Sequence, residues 1–100
     1  MGMHKTKQYN LDRATLIGTY DNGLNASDVY AYGEALYRNK NGEYFLKGAG
    51  GAMTHYAWPC GQNNIWRAGK KTIPLTRSEA IEWGEINLSV TELEQLLSDE

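Results

Sequence analysis

Apolar and polar residues alternate with a period of two through Glu34-Ala35-Leu36-Tyr37-Arg38 and again through Glu43-Tyr44-Phe45-Leu46-Lys47. Such alternation places successive side chains on opposite faces of a strand, and the intervening Asn39-Lys40-Asn41-Gly42 predicts a β-hairpin. Asn41-Gly42 supplies the positive φ that a tight hairpin turn requires. Leu16-Ile17-Gly18-Thr19-Tyr20 predicts a further strand, ended by Asp21-Asn22-Gly23. The spacing of Leu11 to Ile17 also fits a short helix; a strand after a turn is the favoured reading. Thr72-Ile73-Pro74-Leu75 reads as a short edge strand, because proline cannot donate to a sheet ladder.

The period then lengthens to that of a helix. Thr76-Arg77-Ser78-Glu79 has the spacing of a capping box, in which the threonine hydroxyl and the glutamate carboxylate cap opposite backbone amides. Ala80, Ile81, Trp83 and Ile86, with Leu88 nearby, predict an apolar helical face directed at the sheet. Ser89-Val90-Thr91-Glu92 repeats the box, and Leu88 before it with Leu93 after it are placed as a hydrophobic staple. Leu93, Leu96 and Leu97 then recur at i, i+3 and i+4, predicting a last helix to about Ser98 that docks on the body.

Strands followed by helices predict an α+β domain: a small antiparallel sheet of three or four strands with two C-terminal helices on one face. The 100 residues suffice for one domain. Residues 1–7 are expected to be disordered. Residues 48–71 lack clear periodicity and read as a long loop rich in glycine and aromatics, and loops of that length are usually functional or mobile.

Composition adds a charge asymmetry. Residues 1–76 carry nine Lys/Arg against five Asp/Glu, whereas residues 77–100 carry one against seven. Glu82, Glu85, Glu92 and Glu94 are therefore a candidate acidic patch for a basic partner, or merely the solvated faces of helices. No apolar run approaches membrane-spanning length, and no apolar leader follows Met1. Gly2 fits a myristoylation signal only loosely. The single cysteine, Cys60, excludes an intrachain disulfide and suits a reducing compartment. A cytoplasmic protein is expected.

No catalytic constellation emerges. Gly48, Gly50 and Gly51 follow a predicted strand but lack the spacing of a phosphate-binding loop, and they read as turn glycines. His55 and Cys60 lack an orienting acid or amide and the further ligands of a zinc site, so a buried or half-buried structural role is expected of both. No enzyme, cofactor or metal is expected. The strongest functional signal is Tyr56, Trp58, Trp66 and Arg67 in the long loop, since Trp, Tyr and Arg are the favoured anchors of interfaces. The competing reading folds the tryptophans back into a satellite core. Arg67, Lys70 and Lys71 beside Trp66, with Lys5 and Lys7, form a short basic and aromatic patch suited to nucleic acid.

Taken together, Tyr9-Asn10-Leu11-Asp12-Arg13-Ala14-Thr15-Leu16-Ile17, Glu34 to Leu46, Gly50-Gly51-Ala52-Met53-Thr54 and Ile73-Pro74-Leu75-Thr76 give the chain an outline that resembles a family of short bacterial proteins carried by plasmids, prophages and other mobile elements. The likeness spans nearly the whole chain. It implies context rather than chemistry: accessory proteins of such elements often act as stoichiometric inhibitors of host defence, anti-CRISPR proteins among them, or as regulators of gene transfer. The expectation is thus a non-enzymatic inhibitor that binds a host protein or ribonucleoprotein such as a Cas effector, as monomer or homodimer. A nucleic-acid-binding regulator is the alternative.

Overall fold

The computed structural model describes residues 14–61 and 65–98. Six strands and two helices follow in order: β1 (Thr15–Asp21), β2 (Tyr32–Arg38), β3 (Tyr44–Gly50), β4 (Trp58–Pro59), β5 (Trp66–Arg67), β6 (Gly69–Leu75), α1 (Arg77–Asn87) and α2 (Val90–Ser98). The main sheet has the order β1-β2-β3-β6 and is antiparallel throughout; β4 and β5 form a separate two-stranded ribbon. The α+β architecture is the expected one. No helix among the described residues is long and apolar enough to cross a membrane. The reading of residues 1–7 lies outside the described residues.

Register assigns each side chain to a face. Gly18, Leu36, Leu46 and Ile73 stand side by side across the four strands, and Leu36 and Leu46 are buried with Tyr44, Ala80 and Leu96 beneath the helices. Helix α1 packs on β3 and β6 and α2 on β1. The Leu88 side chain lies against the bare backbone of Gly18, so the close approach at the β1 edge depends on that glycine. The Arg77 guanidinium ties the layers together, donating to the Tyr44 hydroxyl at 2.8 Å and to the Leu97 carbonyl at 3.0 Å.

Both capping boxes form. Glu79 N–H donates to Thr76 Oγ1 at 3.0 Å while Thr76 N–H donates to Glu79 Oε1 at 2.8 Å. Ser89 and Glu92 make the reciprocal pair at 3.2 Å. Thr76→Ala removes one of these acceptors and is expected to cost about 1 kcal/mol, read as a lower urea midpoint with unchanged slope.

One helical assignment is corrected. Ile86, expected on the inner face of α1, is 81% exposed, while Gly84 is buried and Leu88, Leu93 and Leu96 converge on it. The true inner stripe advances by four from Ala80 through Gly84 to Leu88, and Ile86 lies off it.

The long loop is also shorter than its sequence suggests. Strand β3 runs on to Gly50, and β6 begins at Gly69 rather than Thr72, pairing with β3 along its whole length. Glycine is depleted in strands. These glycines nonetheless belong to strands because the connection folds back over them.

Candidate functional site

In an antiparallel meander the β1–β2 and β3–β6 connections emerge at the same end of the sheet. They are stitched to each other: Gly51 N–H donates to Ala31 O and Met53 N–H to Val29 O, both at 2.9 Å. The β1–β2 connection is shaped by Asp21, whose Oδ1 accepts from Gly23 N–H at 2.8 Å, and by Asn22, whose side-chain amide donates to Tyr30 O at 2.8 Å. Gly23 takes the positive φ of 78° that lets the chain turn there.

The second connection lies back on the helix-bearing face of the sheet. Thr54 sits over Gly50, the Tyr56 ring over Gly48 and the Trp58 indole over Gly69, in positions that a Cβ on any of the three glycines would invade. The glycines thus form a shallow floor for the segment that leads into the β4–β5 ribbon. Thr54 Oγ1 bonds Gly51 O at 2.8 Å and accepts from Tyr56 N–H at 3.2 Å, closing the turn.

The segment is locked by Glu34, the β2 residue paired with Gly48. Its side chain is only 8% exposed. Oε2 accepts from the Tyr56 hydroxyl at 2.6 Å and lies 3.2 Å from His55 Nε2, while Oε1 accepts from the Trp83 indole N–H at 2.7 Å. One carboxylate therefore joins β2, the connection and α1. The Tyr56 hydroxyl is held protonated well above the usual tyrosine range, first by burial and then by its bond to Glu34. His55 stacks edge-on against Tyr32 at 5.4 Å and covers the cluster from the solvent side.

Tyr56, expected among the exposed interface residues, is fully buried. Its ring fills the space above Gly48 and its hydroxyl is spent on Glu34. Trp58, Trp66 and Arg67 do reach solvent: the indoles are 44% and 51% exposed, and Arg67 pairs with Trp58 across the ribbon. Trp66 pairs with Pro59 and so lies on the opposite side of the ribbon from Trp58.

The expected basic patch divides in the same way. Lys70 is exposed on the face away from the helices, whereas Lys71 is half-buried on the helix side, its Nζ 3.0 Å from His55 O and 5.0 Å above the Trp58 ring. Lys5 and Lys7 lie outside the described residues. In the acidic patch, Glu82, Glu85 and Glu94 are exposed, but Glu92 is half-buried and engaged in the Ser89 cap. His55 and Cys60 are both exposed, contrary to the expectation of burial. Cys60 has left the core because it continues the outward-running ribbon, where its N–H donates to Ile65 O at 2.7 Å.

What this end of the sheet gathers is apolar surface. Leu24, Val29 and Tyr30 from the first connection and Met53, Trp58, Ile65 and Trp66 from the second are all exposed; only Leu16, Ile86, Val90 and Leu97 among the described large apolar side chains are exposed elsewhere. Among the described residues no group of three His, Cys, Asp or Glu is placed to hold a metal ion. Comparison with protein-family models, curated proteins and solved structures finds no match to this chain.

Proposed function

We propose that the protein acts without catalysis, as a small binding protein that occupies a surface of a host protein or ribonucleoprotein through the loop end of its sheet. The family resemblance suggests a defence complex of the CRISPR effector kind as the target, and inhibition by occupancy as the effect. The observation that carries the reading is the concentration of seven exposed large apolar side chains, two of them tryptophans, at one end of a chain this small. Exposed apolar side chains gathered at one end, rather than scattered singly, mark interaction sites. The patch is also presented on a firm base, since the Glu34 cluster and the three-glycine floor fix the segment that bears Trp58. Preorganised aromatic anchors lose little entropy on binding.

Against a nucleic-acid partner stand the split between Lys70 and Lys71 and the aliphatic character of Leu24, Val29, Met53 and Ile65, which bury well but cannot stack on bases.

Affinity capture with the tagged protein, from lysate of a bacterium with intact defence systems, is expected to recover a stoichiometric protein complex at low and high salt. Trp58→Ala and Trp66→Ala should each weaken that capture by roughly 2 kcal/mol, about thirtyfold in Kd, with thermal unfolding little changed for Trp66→Ala and modestly lowered for Trp58→Ala, whose indole packs on Gly69. Recovery that both variants leave intact would remove the ribbon from the interface, and recovery of nucleic acid lost at high salt would favour the regulator.

A further inference from the structure

Beyond the tryptophan ribbon, the same end of the sheet carries a groove on the face turned away from the helices. It has a volume of about 460 Å³, and its lining includes Leu24, Ala31, Gly33, Ala49, Ala68 and Lys70. Its shape follows from the register. Asp21, Gly33, Ala49 and Lys70 form one cross-strand row, so glycine and alanine at the two central positions leave a trough between the flanking strands. Leu24 and Ala68 complete the lining.

Positive charge gathers at the β6 side of the trough, away from its carboxylate. Lys47 and Lys70 have no ion-pair partner among the described residues. Lys47 pairs with Thr72 and Ala49 with Lys70, which makes Lys47 and Lys70 diagonal neighbours on one face of adjacent strands. Like charges so placed repel, and an anionic partner relieves that repulsion. Asp21, the carboxylate in the lining, stands on β1 three strands away from Lys70 and accepts from Gly23 N–H.

We infer that this groove takes an apolar side chain from an acidic segment of the partner protein, whose carboxylates pair with Lys47 and Lys70. The inference rests on the binding role proposed above and specifies the chemistry of what is bound. An apolar anchor suits the glycine and alanine floor. The cations at the rim add orientation and rate of encounter more than raw affinity. A phosphate backbone would find few cations here.

The test uses the full chain and three labelled probes: a peptide alternating Asp or Glu with Leu or Phe, the same peptide with Lys at the acidic positions, and oligothymidylate. Fluorescence anisotropy is expected to show binding of the acidic peptide alone. Lys47→Glu and Lys70→Glu should each weaken it about fivefold. Ala68→Trp, which fills the groove from an exposed position, should abolish it at an unchanged melting temperature. Equal binding of the lysine peptide, tighter binding of oligothymidylate, or no binding of the acidic peptide would overturn the inference. So would self-association that Ala68→Trp removes, since a second copy would then be the occupant. The same variants separate this inference from the broader reading in the capture experiment. A host complex lost by Trp58→Ala and Trp66→Ala but kept by Lys47→Glu and Ala68→Trp leaves the binding role standing and sinks the groove assignment. A complex kept by all four sinks both.

Discussion

Glu34→Ala is expected to destabilise the protein by about 3 kcal/mol, seen as a fall in Tm on the order of 15 °C. The reason is the asymmetry between making a hydrogen bond and leaving a donor without one. The Tyr56 hydroxyl and the Trp83 indole N–H both end on the Glu34 carboxylate, and Tyr56 is fully buried. Truncation strands both donors in a region with little water, at about 1–3 kcal/mol for each buried group left unsatisfied. Surface glutamates such as Glu82 and Glu85 have no such role, and their replacement should fall within about 0.5 kcal/mol. Glu34→Gln keeps one acceptor oxygen and is expected to lose about half as much, because its amide cannot accept from the second donor. A Glu34→Ala protein as stable as wild type would show that the connection is held by packing alone.

The same cluster sets an alkaline limit. Tyr56 carries its proton more tightly in the folded chain than in the unfolded chain, so the associated stability is complete below the ordinary tyrosine pKa and is lost as pH rises above it. Urea unfolding between neutral pH and pH 11 should therefore show declining stability at the top of the range. Tyr56→Phe keeps the ring over Gly48 but has no proton to lose, so its decline should be shallower; Tyr32, whose pKa is also raised chiefly by burial, accounts for a remainder.

Much of the scaffold was legible in the chain because its signals are local. The hairpin declared itself through period-two alternation around Asn41-Gly42, and both helix starts through capping boxes whose partners lie three residues apart. What escaped depends on contacts distant in sequence. Gly48, Gly50 and Gly69 read as loop because nothing local says that Tyr56, Thr54 and Trp58 will lie on them. For the same reason nothing local separates Tyr56 from the exposed tryptophans, although its ring is the one the sheet receives. A signal for Glu34 did exist. It stands two residues before Leu36 on β2, so period-two alternation directs it to the buried face, and a carboxylate at an inward position demands donors. The companions of the ribbon in the β1–β2 connection, Leu24, Val29 and Tyr30, carried no signal, since only the meander brings the two connections to one end.

Gly48→Ala supplies the sharpest test of that glycine floor. An added methyl would occupy the volume of the Tyr56 ring and its hydroxyl, so either the ring leaves its buried site and breaks its bond to Glu34 or the strand shifts. A cost of about 3 kcal/mol is expected from lost burial together with an unsatisfied carboxylate oxygen. On general grounds alanine should suit a strand better than glycine, so the sign of the effect is informative in itself. The double-mutant cycle makes the cause explicit. In a Tyr56→Ala background the methyl meets no ring, and Gly48→Ala should become neutral or mildly stabilising, giving a coupling of about 2–3 kcal/mol between the two sites. A Gly48→Ala penalty of equal size in both backgrounds would place the conflict elsewhere on β3. Gly23→Ala is the control: its penalty arises from backbone φ alone, with open space around the missing side chain, and should not respond to Tyr56. If the cycle closes as expected, the three glycines form a matched surface for the connection, and the placement of Trp58 follows from the size of three missing side chains.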